Sequence, residues 1–285
     1  MHASDVPYVL GALDAALAAA PNAADLEAAA LIQVYWVGFA RIGNPNGAGR
    51  PYWPSVGVAI RTRPRSEGEQ NASGPRVILH GYFRSSASYR VRIALGLKGL
   101  AHEHVFHHLR KNEQRAPDYL ATNPQGLVPS LVLDDGQVLT QSLAICDYLD
   151  EVWPEPPLLP KHPVQRAMVR AFAQVIACDI HPLQNLKVLR RLAALGHSEA
   201  DTQAWARAFI DEGLDACANL IADESGPFCF GAVPSLADLC LIPQLANARR
   251  FGVELRWPRL LEAERACANV AAFVTAAPEH QADSE

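Results

Sequence analysis

The spacing of apolar residues predicts a mixed order of strands and helices from residue 76 onward. The apolar run Val77-Ile78-Leu79 is typical of a strand, and the apolar positions after it recur at helical spacing. Further along, Asp134-Asp-Gly136 is a strong hairpin signal. The predicted elements are strand 76–80, helix 86–98, strand 102–108, a helical segment at 113–121, strands 128–133 and 137–140, and a helix from Gln141 to about Trp153. This β-α-β-α-β-β-α order is that of a thioredoxin-like domain.

The chain after residue 160 is predicted to be helical. Apolar residues from Val164 through Met168 to Ile176 recur at i, i+3 and i+4, a stripe that we expect to face the core. Ser235 and Asp238 have the spacing of a capping box, so a helix is predicted to begin there. Two other helices are predicted at 199–223 and 258–276. The polar residues after 278 are expected to fray.

Two segments precede this pattern. Residues 1–57 contain an Ala-rich helical stretch together with Trp36 and Trp53, and offer little chain to bury them. Residues 58–75 are polar, contain Gly, Pro and Ser, and lack periodicity, as is typical of a linker. The predicted organisation is an extra segment at 1–57, a linker at 58–75, a thioredoxin-like α/β domain at 76–156 and an all-helical domain at 161–278.

Composition excludes several classes of protein. Hydrophobic residues make up 49% and charged residues 19% of the chain, so it can bury a core. A net charge of −5 without an evident basic face argues against a nucleic-acid partner. No apolar run reaches membrane-spanning length, and the start of the sequence lacks the basic region of a signal peptide. The six cysteines form no C-x-x-C pair, so we expect buried thiols in a reducing, cytoplasmic compartment.

The turn between the first strand and the first helix carries the candidate chemistry. Ser85, Ser86 and Ser88 lie where a helix begins, and the unpaired N–H groups and dipole of a helix N-terminus favour an anion such as a thiolate. Serine is also a common N-cap, and the turn by itself supports both interpretations equally.

Four histidines cluster between residues 102 and 108 and invite a metal-site interpretation. No Cys or carboxylate cluster accompanies His102, His104, His107 and His108. We therefore expect a partly exposed strand face there and no metal site.

Five motifs occur in order over most of the chain after residue 76. They are Tyr82-Phe-Arg-Ser-Ser-Ala-Ser-Tyr-Arg-Val-Arg-Ile-Ala-Leu95, Asn123-Pro-Gln-Gly-Leu-Val-Pro129, Gln141-Ser-Leu-Ala-Ile145, Ile180-His-Pro-Leu-Gln-Asn185, and Ser235-Leu-Ala-Asp-Leu-Cys-Leu-Ile-Pro-Gln244 with Asn247-Ala-Arg-Arg-Phe251. With them the chain resembles the zeta-class glutathione transferases, the family of maleylacetoacetate and maleylpyruvate isomerases. The resemblance implies the glutathione transferase fold, glutathione as cofactor and a homodimer.

The resemblance also assigns roles to individual residues. Ser85 and Ser86 would hydrogen-bond the glutathione sulfur and lower its pKa, and the backbone of Val128, before a cis Pro129, would pair with the glutathione peptide. The other implied glutathione-binding residues are Gln125, Gln141, Ser142, Gln184 and Asn185. Gln141 and Ser142, at a helix start, suit the γ-glutamyl carboxylate, and a plain N-cap role is compatible with this.

Arginines are the candidates for holding the substrate. Arg84 and Arg250 are expected to clamp the carboxylates of a small dicarboxylate or diketo acid, because guanidinium groups bind carboxylates bidentately. The alternative for Arg250 is a surface salt bridge, and Arg249 competes for its role.

The implied reaction is the glutathione-dependent isomerisation of maleylacetoacetate to fumarylacetoacetate in tyrosine and homogentisate catabolism. The thiolate adds to the cis double bond, the resulting enolate rotates, and expulsion of the thiolate gives the trans product. Maleylpyruvate isomerisation in gentisate degradation and general glutathione transfer are the alternatives, as is a non-catalytic glutathione-fold binding protein. Many eukaryotic members have Ser-Ser-Cys where this chain has Ser85-Ser86-Ala87, so the nucleophile would come from glutathione alone.

The first segment resembles a different family. His2-Ala-Ser-Asp-Val-Pro-Tyr8, Tyr35-Trp-Val-Gly-Phe-Ala-Arg41 and Gly43-Asn-Pro-Asn-Gly47 are similar to the C-terminal end of type-B carboxylesterases. The chain contains no Gly-x-Ser-x-Gly nucleophile elbow, so His2 would have nothing to activate. We expect residues 1–57 to be a remnant or fused tail without esterase activity, produced by a gene fusion or a misplaced start codon.

Overall fold

The computed structural model describes residues 77–285. The chain divides into two units, residues 1–70 and 71–285, and the described residues belong to the second. The predicted carboxylesterase-like segment at 1–57 and the linker at 58–75 lie outside the described residues.

A mixed four-stranded sheet forms the first layer of the described unit. Its strands are β1 (Val77–Gly81), β2 (His102–Phe106), β3 (Ser130–Val132) and β4 (Val138–Thr140). The spatial order is β2-β1-β3-β4, with β1 parallel to β2 and antiparallel to β3. Val77 and Leu79 are fully buried and alternate with half-buried residues, the period of two expected of a strand packed on one face.

Three helices accompany the sheet and confirm the predicted thioredoxin-like order. They are α1 (Ser86–Leu97), α2 (Pro117–Thr122) and α3 (Ser142–Val152). Two short 3-10 turns, Leu109–Lys111 and Glu113–Arg115, precede α2 and replace the start of the predicted segment at 113–121. The predicted strand at 102–108 ends at Phe106, because His108 instead caps the first of these turns by accepting from the Lys111 N–H.

The remainder is helical, as predicted. Its elements are α4 (Pro163–Gln174), which continues as a π-helical turn (Val175–Ile180), then α5 (Leu186–Ala194), α6 (Glu199–Leu220), α7 (Leu236–Arg250), α8 (Pro258–Cys267), α9 (Ala271–Thr275) and a 3-10 turn (Pro278–His280). Helix α7 is buried along most of its length and packs against α1, α4 and α8. The capping box at its start is confirmed: the Ser235 N–H donates to Asp238 Oδ2 across 2.8 Å.

Two predictions about this domain hold only in part, and helix α5 was not predicted. The helix predicted at 258–276 is broken at 268–270 into α8 and α9. Of the stripe expected to face the core, Phe172 and Ile176 are buried as predicted, whereas Val164 and Met168 are exposed by 61% and 42%.

The residues after 278 do not fray as predicted. Asp283 Oδ2 accepts a hydrogen bond from the Phe83 N–H at 2.9 Å, and Glu285 pairs with His108. Arg92 adds to this contact by donating from Nε to the Ala276 carbonyl across 2.9 Å and from Nη2 to the Phe83 carbonyl across 3.1 Å. Residues 276–285 therefore lie against the turn that leads into α1.

Candidate functional site

A cavity of about 570 Å³ lies between the sheet domain and the helical domain. Most of the site residues predicted from the sequence line it: Arg84, Ser85, Ser86, Val128, Gln184, Asn185 and Arg250. They come from the turn before α1, the loop before β3, the segment before α5 and the end of α7, so the fold brings together residues that are far apart in the chain.

The two serines at the start of α1 have different surroundings. Ser85 is the N-cap, and its Oγ accepts a hydrogen bond from the Ser88 N–H at 3.2 Å. Ser86 is only 5% exposed, and its Oγ lies 3.4 Å from the Pro243 carbonyl, a long bond to α7. Capping by Ser85 is thus confirmed, and the helix N-terminus with the weakly bonded Ser86 hydroxyl borders the cavity.

Arg250 and Arg249 point to different parts of the surface. Arg250 lines the cavity, donates from Nη1 to the Arg84 carbonyl across 3.3 Å and bonds the Asn247 side chain. Arg249 instead forms a bidentate ion pair with Glu264, with N–O distances of 2.5 and 2.6 Å, beside a separate pocket. The surface salt bridge considered for Arg250 belongs to Arg249.

Gln184 reaches the cavity as part of a buried amide network. Its Nε2 donates to Gln244 Oε1 across 2.7 Å, and its Oε1 accepts from Asn247 Nδ2 across 2.5 Å. Asn185 caps α5, since its Oδ1 accepts from the Lys187 N–H at 3.0 Å. Both residues therefore have structural hydrogen bonds in addition to their place at the cavity wall.

The remaining predicted residues form a group that adjoins the cavity without lining it. The Val128–Pro129 peptide bond is cis, as the resemblance implied. Gln141, at a positive φ of 68°, donates from Nε2 to Gln125 Oε1 across 3.0 Å. Ser142 begins α3 and is 6% exposed. Because Gly126 to Val128 line the cavity, this group lies beside its edge.

The charge of the cavity was not predicted in full. Six cationic side chains line it: Arg84, Arg110, Arg115, Lys187, Arg190 and Arg250. No Asp or Glu is among the described residues that line it, although the chain has a net charge of −5. Such a concentration of one sign attracts anions. Four of them lie outside the sequence motifs, and the fold brings them to one cavity: Arg110, Arg115, Lys187 and Arg190.

Several polar atoms at the cavity are buried without a partner. They are Tyr82 Oη, Gln114 Oε1 and His181 Nδ1. Loss of solvation lowers the pKa of His181 to about 3, with the cations Arg90 and Arg250 adding to the effect, so its imidazole is neutral. The cationic side chains that line the cavity suit a ligand that carries carboxylates, such as the tripeptide glutathione.

Comparison with known proteins identifies the family. The family model described as "Glutathione S-transferase, N-terminal domain" matches residues 84–152, and "Glutathione S-transferase, C-terminal domain" matches residues 188–276. The maleylacetoacetate isomerase of Pseudomonas aeruginosa is 46% identical over 209 residues, covering 72% of this chain and 98% of that protein. The chain belongs to the glutathione S-transferase family.

Solved structures place this family member in the zeta class, as the resemblance implied. A holo structure of maleylpyruvate isomerase, described as a bacterial zeta-class enzyme, is 42% identical with a TM-score of 0.71 and covers 73% of this chain and 100% of its own. The maleylacetoacetate isomerase of Methylobacterium extorquens AM1, solved with bound malonate and glutathione, is 40% identical with a TM-score of 0.71 over 73% and 99% of the two chains. No helix among residues 77–285 is long and apolar enough to cross a membrane.

Proposed function

We propose that this protein isomerises maleylacetoacetate to fumarylacetoacetate with glutathione as its cofactor. The observation that carries the proposal is the cavity itself, in which a helix N-terminus with Ser85 and Ser86 meets six cations and no carboxylate of the described residues. Relatives named maleylacetoacetate isomerase, among them the protein of Pseudomonas aeruginosa, support this proposal. Maleylpyruvate is the alternative substrate, because it has the same cis diketo-acid chemistry and the similar holo structure is of a maleylpyruvate isomerase.

Different residues of this chain bind the cofactor and the substrate. When bound, glutathione supplies a thiolate that adds to the cis double bond and leaves after the bond has rotated. The N–H groups of the first turn of α1 and the Ser85 and Ser86 hydroxyls hold that thiolate ionised at neutral pH. Arg84 and Arg250 hold the substrate carboxylates, and their positive charge stabilises the negative charge that develops on the substrate oxygens.

The cofactor peptide extends away from this point along the sheet domain. Val128 presents its backbone, and Gln125, Pro129, Gln141 and Ser142 form the group that receives the γ-glutamyl end. Gln184 and Asn185 close the cavity from the helical domain. In this proposal residues 76–156 bind glutathione and residues 161–278 provide the substrate side.

We extend the proposal to assembly and location. The exposed Val164 and Met168 on α4 suit a homodimer interface, because exposed apolar clusters commonly mark protein contacts. All six cysteines are free thiols and all except Cys178 are buried, which suits a reducing cytoplasm.

The experiment that tests the function compares substrates with and without glutathione. Maleylacetoacetate and maleylpyruvate should both be converted only when glutathione is present, and glutathione should not be consumed. Chlorinated acids and aryl halides serve as the comparison. Conjugation of these electrophiles without any isomerisation would identify a general transferase and overturn the proposal.

A further inference from the structure

Arg90 is a buried cation that is paired with no counter-charge among residues 77–285. It lies in the middle of α1 and is 1% exposed. Its Nη1 donates to Ser142 Oγ across 3.2 Å, whereas its Nε and Nη2 have no partner. Among the ion pairs found in residues 77–285, none includes Arg90. A guanidinium is rarely buried in this state, because both its charge and its unpaired donors lose their hydration.

The other buried cations of the described region show the usual compensation. Arg92, two residues further along α1 and 4% exposed, donates to the backbone carbonyls of Tyr82, Phe83 and Ala276. Lys98 pairs with Asp150 across 2.7 Å. Arg90 therefore stands apart from its neighbours on the same helix.

The titratable groups on which Arg90 acts, Cys146, Cys240 and His181, carry no negative charge at neutral pH. Burial raises the pKa of the Cys146 thiol well above its usual range and that of Cys240 to about 11, although Arg90 opposes both shifts. His181, also close to this charge, is neutral for the reason given above. No carboxylate among residues 77–285 pairs with Arg90, so a bound anion can supply the compensating charge.

Ser142 links Arg90 to the N-terminus of α3. It is the first residue of α3, an eleven-residue helix whose start has no side-chain cap, so the N–H groups of its first turn remain available. Because Ser142 Oγ accepts a hydrogen bond from Arg90, its own O–H is free to donate in another direction. The charge of Arg90 and the dipole of α3 then favour an anion at the same point.

We propose that Arg90 is a positioning residue that orients the Ser142 hydroxyl and supplies the buried positive charge for the γ-glutamyl α-carboxylate of glutathione. This rests on the proposed function, in which Gln141 and Ser142 receive that end of the cofactor. Arg90 does not touch the reacting atoms. Its contribution belongs to cofactor affinity and leaves the chemical step at saturating glutathione unchanged.

The test measures the affinity of the full chain for two ligands by calorimetry. One is glutathione, and the other is γ-aminobutyryl-cysteinyl-glycine, which lacks only the α-carboxylate. Arg90→Met should weaken glutathione binding by about tenfold or more, the loss of one charge-assisted interaction, and change binding of the analogue by less than about twofold. Arg90→Lys should recover part of the loss. In turnover assays the KM for glutathione should rise while kcat stays near that of the unaltered protein.

Two further variants keep the test decisive. Arg92→Met is the matched buried arginine, and it should weaken both ligands by the same factor, since Arg92 bonds only backbone carbonyls, those of Tyr82, Phe83 and Ala276. Ser142→Ala, which leaves Arg90 in place, should reproduce the selective loss even if Arg90→Met does not fold. An unchanged ratio of the two affinities in Ser142→Ala and Arg90→Lys would overturn the proposal. Absence of isomerase turnover in the unaltered protein would instead refute the proposed function.

Discussion

Arg250 donates a hydrogen bond from Nη1 to the backbone carbonyl of Arg84 across 3.3 Å. The contact joins the end of α7 to the turn before α1, and both arginines border the cavity. Since both side chains are cationic and line the same cavity, together they favour an anionic ligand there. The contact distinguishes Arg250, the arginine proposed to hold the substrate, from Arg249.

Arg250→Met should therefore weaken catalysis far more than Arg249→Met. Loss of one charged hydrogen-bonding partner of the substrate lowers kcat/KM by about 10- to 150-fold. Arg249 only pairs with Glu264 at an exposed position, where an ion pair contributes about 1 kcal/mol or less to stability. Steady-state kinetics of the two variants provide the measurement, and equal losses in both would contradict the assignment.

Ser85→Ala and Ser86→Ala should differ in stability. Removing the Ser85 side chain deletes the cap on the Ser88 N–H and should lower the free energy of unfolding by about 0.5–2 kcal/mol. Ser86→Ala deletes only a long bond to Pro243 and should unfold at nearly the same denaturant concentration.

Both variants should also lose catalytic efficiency. Ser85 Oγ accepts from the Ser88 N–H and keeps its own proton free to donate, and the Ser86 hydroxyl is held only by its long bond to the Pro243 carbonyl. Each single variant should lose about tenfold or more in kcat/KM, and the bound thiol should titrate at a higher pH. Ultraviolet absorbance of the bound thiolate measures that titration, and unaltered turnover and thiol titration in both variants would show that the helix N-terminus suffices.

His181 should make stability depend on pH. Its pKa is lowered from 6.5 to about 3 in the folded protein, so between these values the unfolded chain binds the additional proton and stability falls as the pH falls. The contribution of His181 to the free energy of unfolding is fully present above about pH 6.5 and is reduced by about 2 kcal/mol at pH 5.

Urea unfolding at pH 7 and pH 5 checks this expectation against His181→Gln. The variant should lose about 2 kcal/mol less than the unaltered protein on acidification. Between pH 7 and pH 8 the difference between the two proteins should stay nearly constant, since His181 is then largely neutral in both states. Equal losses of stability in the two proteins between pH 7 and pH 5 would mean that His181 is protonated in the folded protein as readily as in the unfolded chain.

The sequence predicted the elements that have strong local signals. Periodicity and the Asp134-Asp-Gly136 turn located the strands and α1, and Ser235 with Asp238 marked the start of α7. Helix α5 was missed although Leu186, Leu189 and Leu192 recur at a spacing of three residues, so a helical signal was present in the sequence. The break at 268–270 follows no Gly or Pro and had no local signal.

The residues of the candidate site that lie in recognisable motifs were predicted from the sequence. Residues that reach the cavity only because distant segments meet were not. Ser85, Ser86 and Arg250 lie in motifs that the resemblance covers. Arg110 and Arg190 carry no such signal, because each becomes part of a cationic cavity only when distant segments meet. The choice between Arg249 and Arg250 depended on which direction each side chain takes at the end of α7, and adjacent residues on a helix point in different directions.

The bond between Phe83 and Asp283 has a consequence for biosynthesis. The ribosome adds 200 residues after Phe83 before its hydrogen-bond partner exists. The contacts of α7 with the turn before α1 can form earlier, but the turn receives its last contact only when residues 276–285 have left the exit tunnel. A nascent chain with its glutathione-binding half already folded would thus still lack the bond that the C-terminal residues make to Phe83.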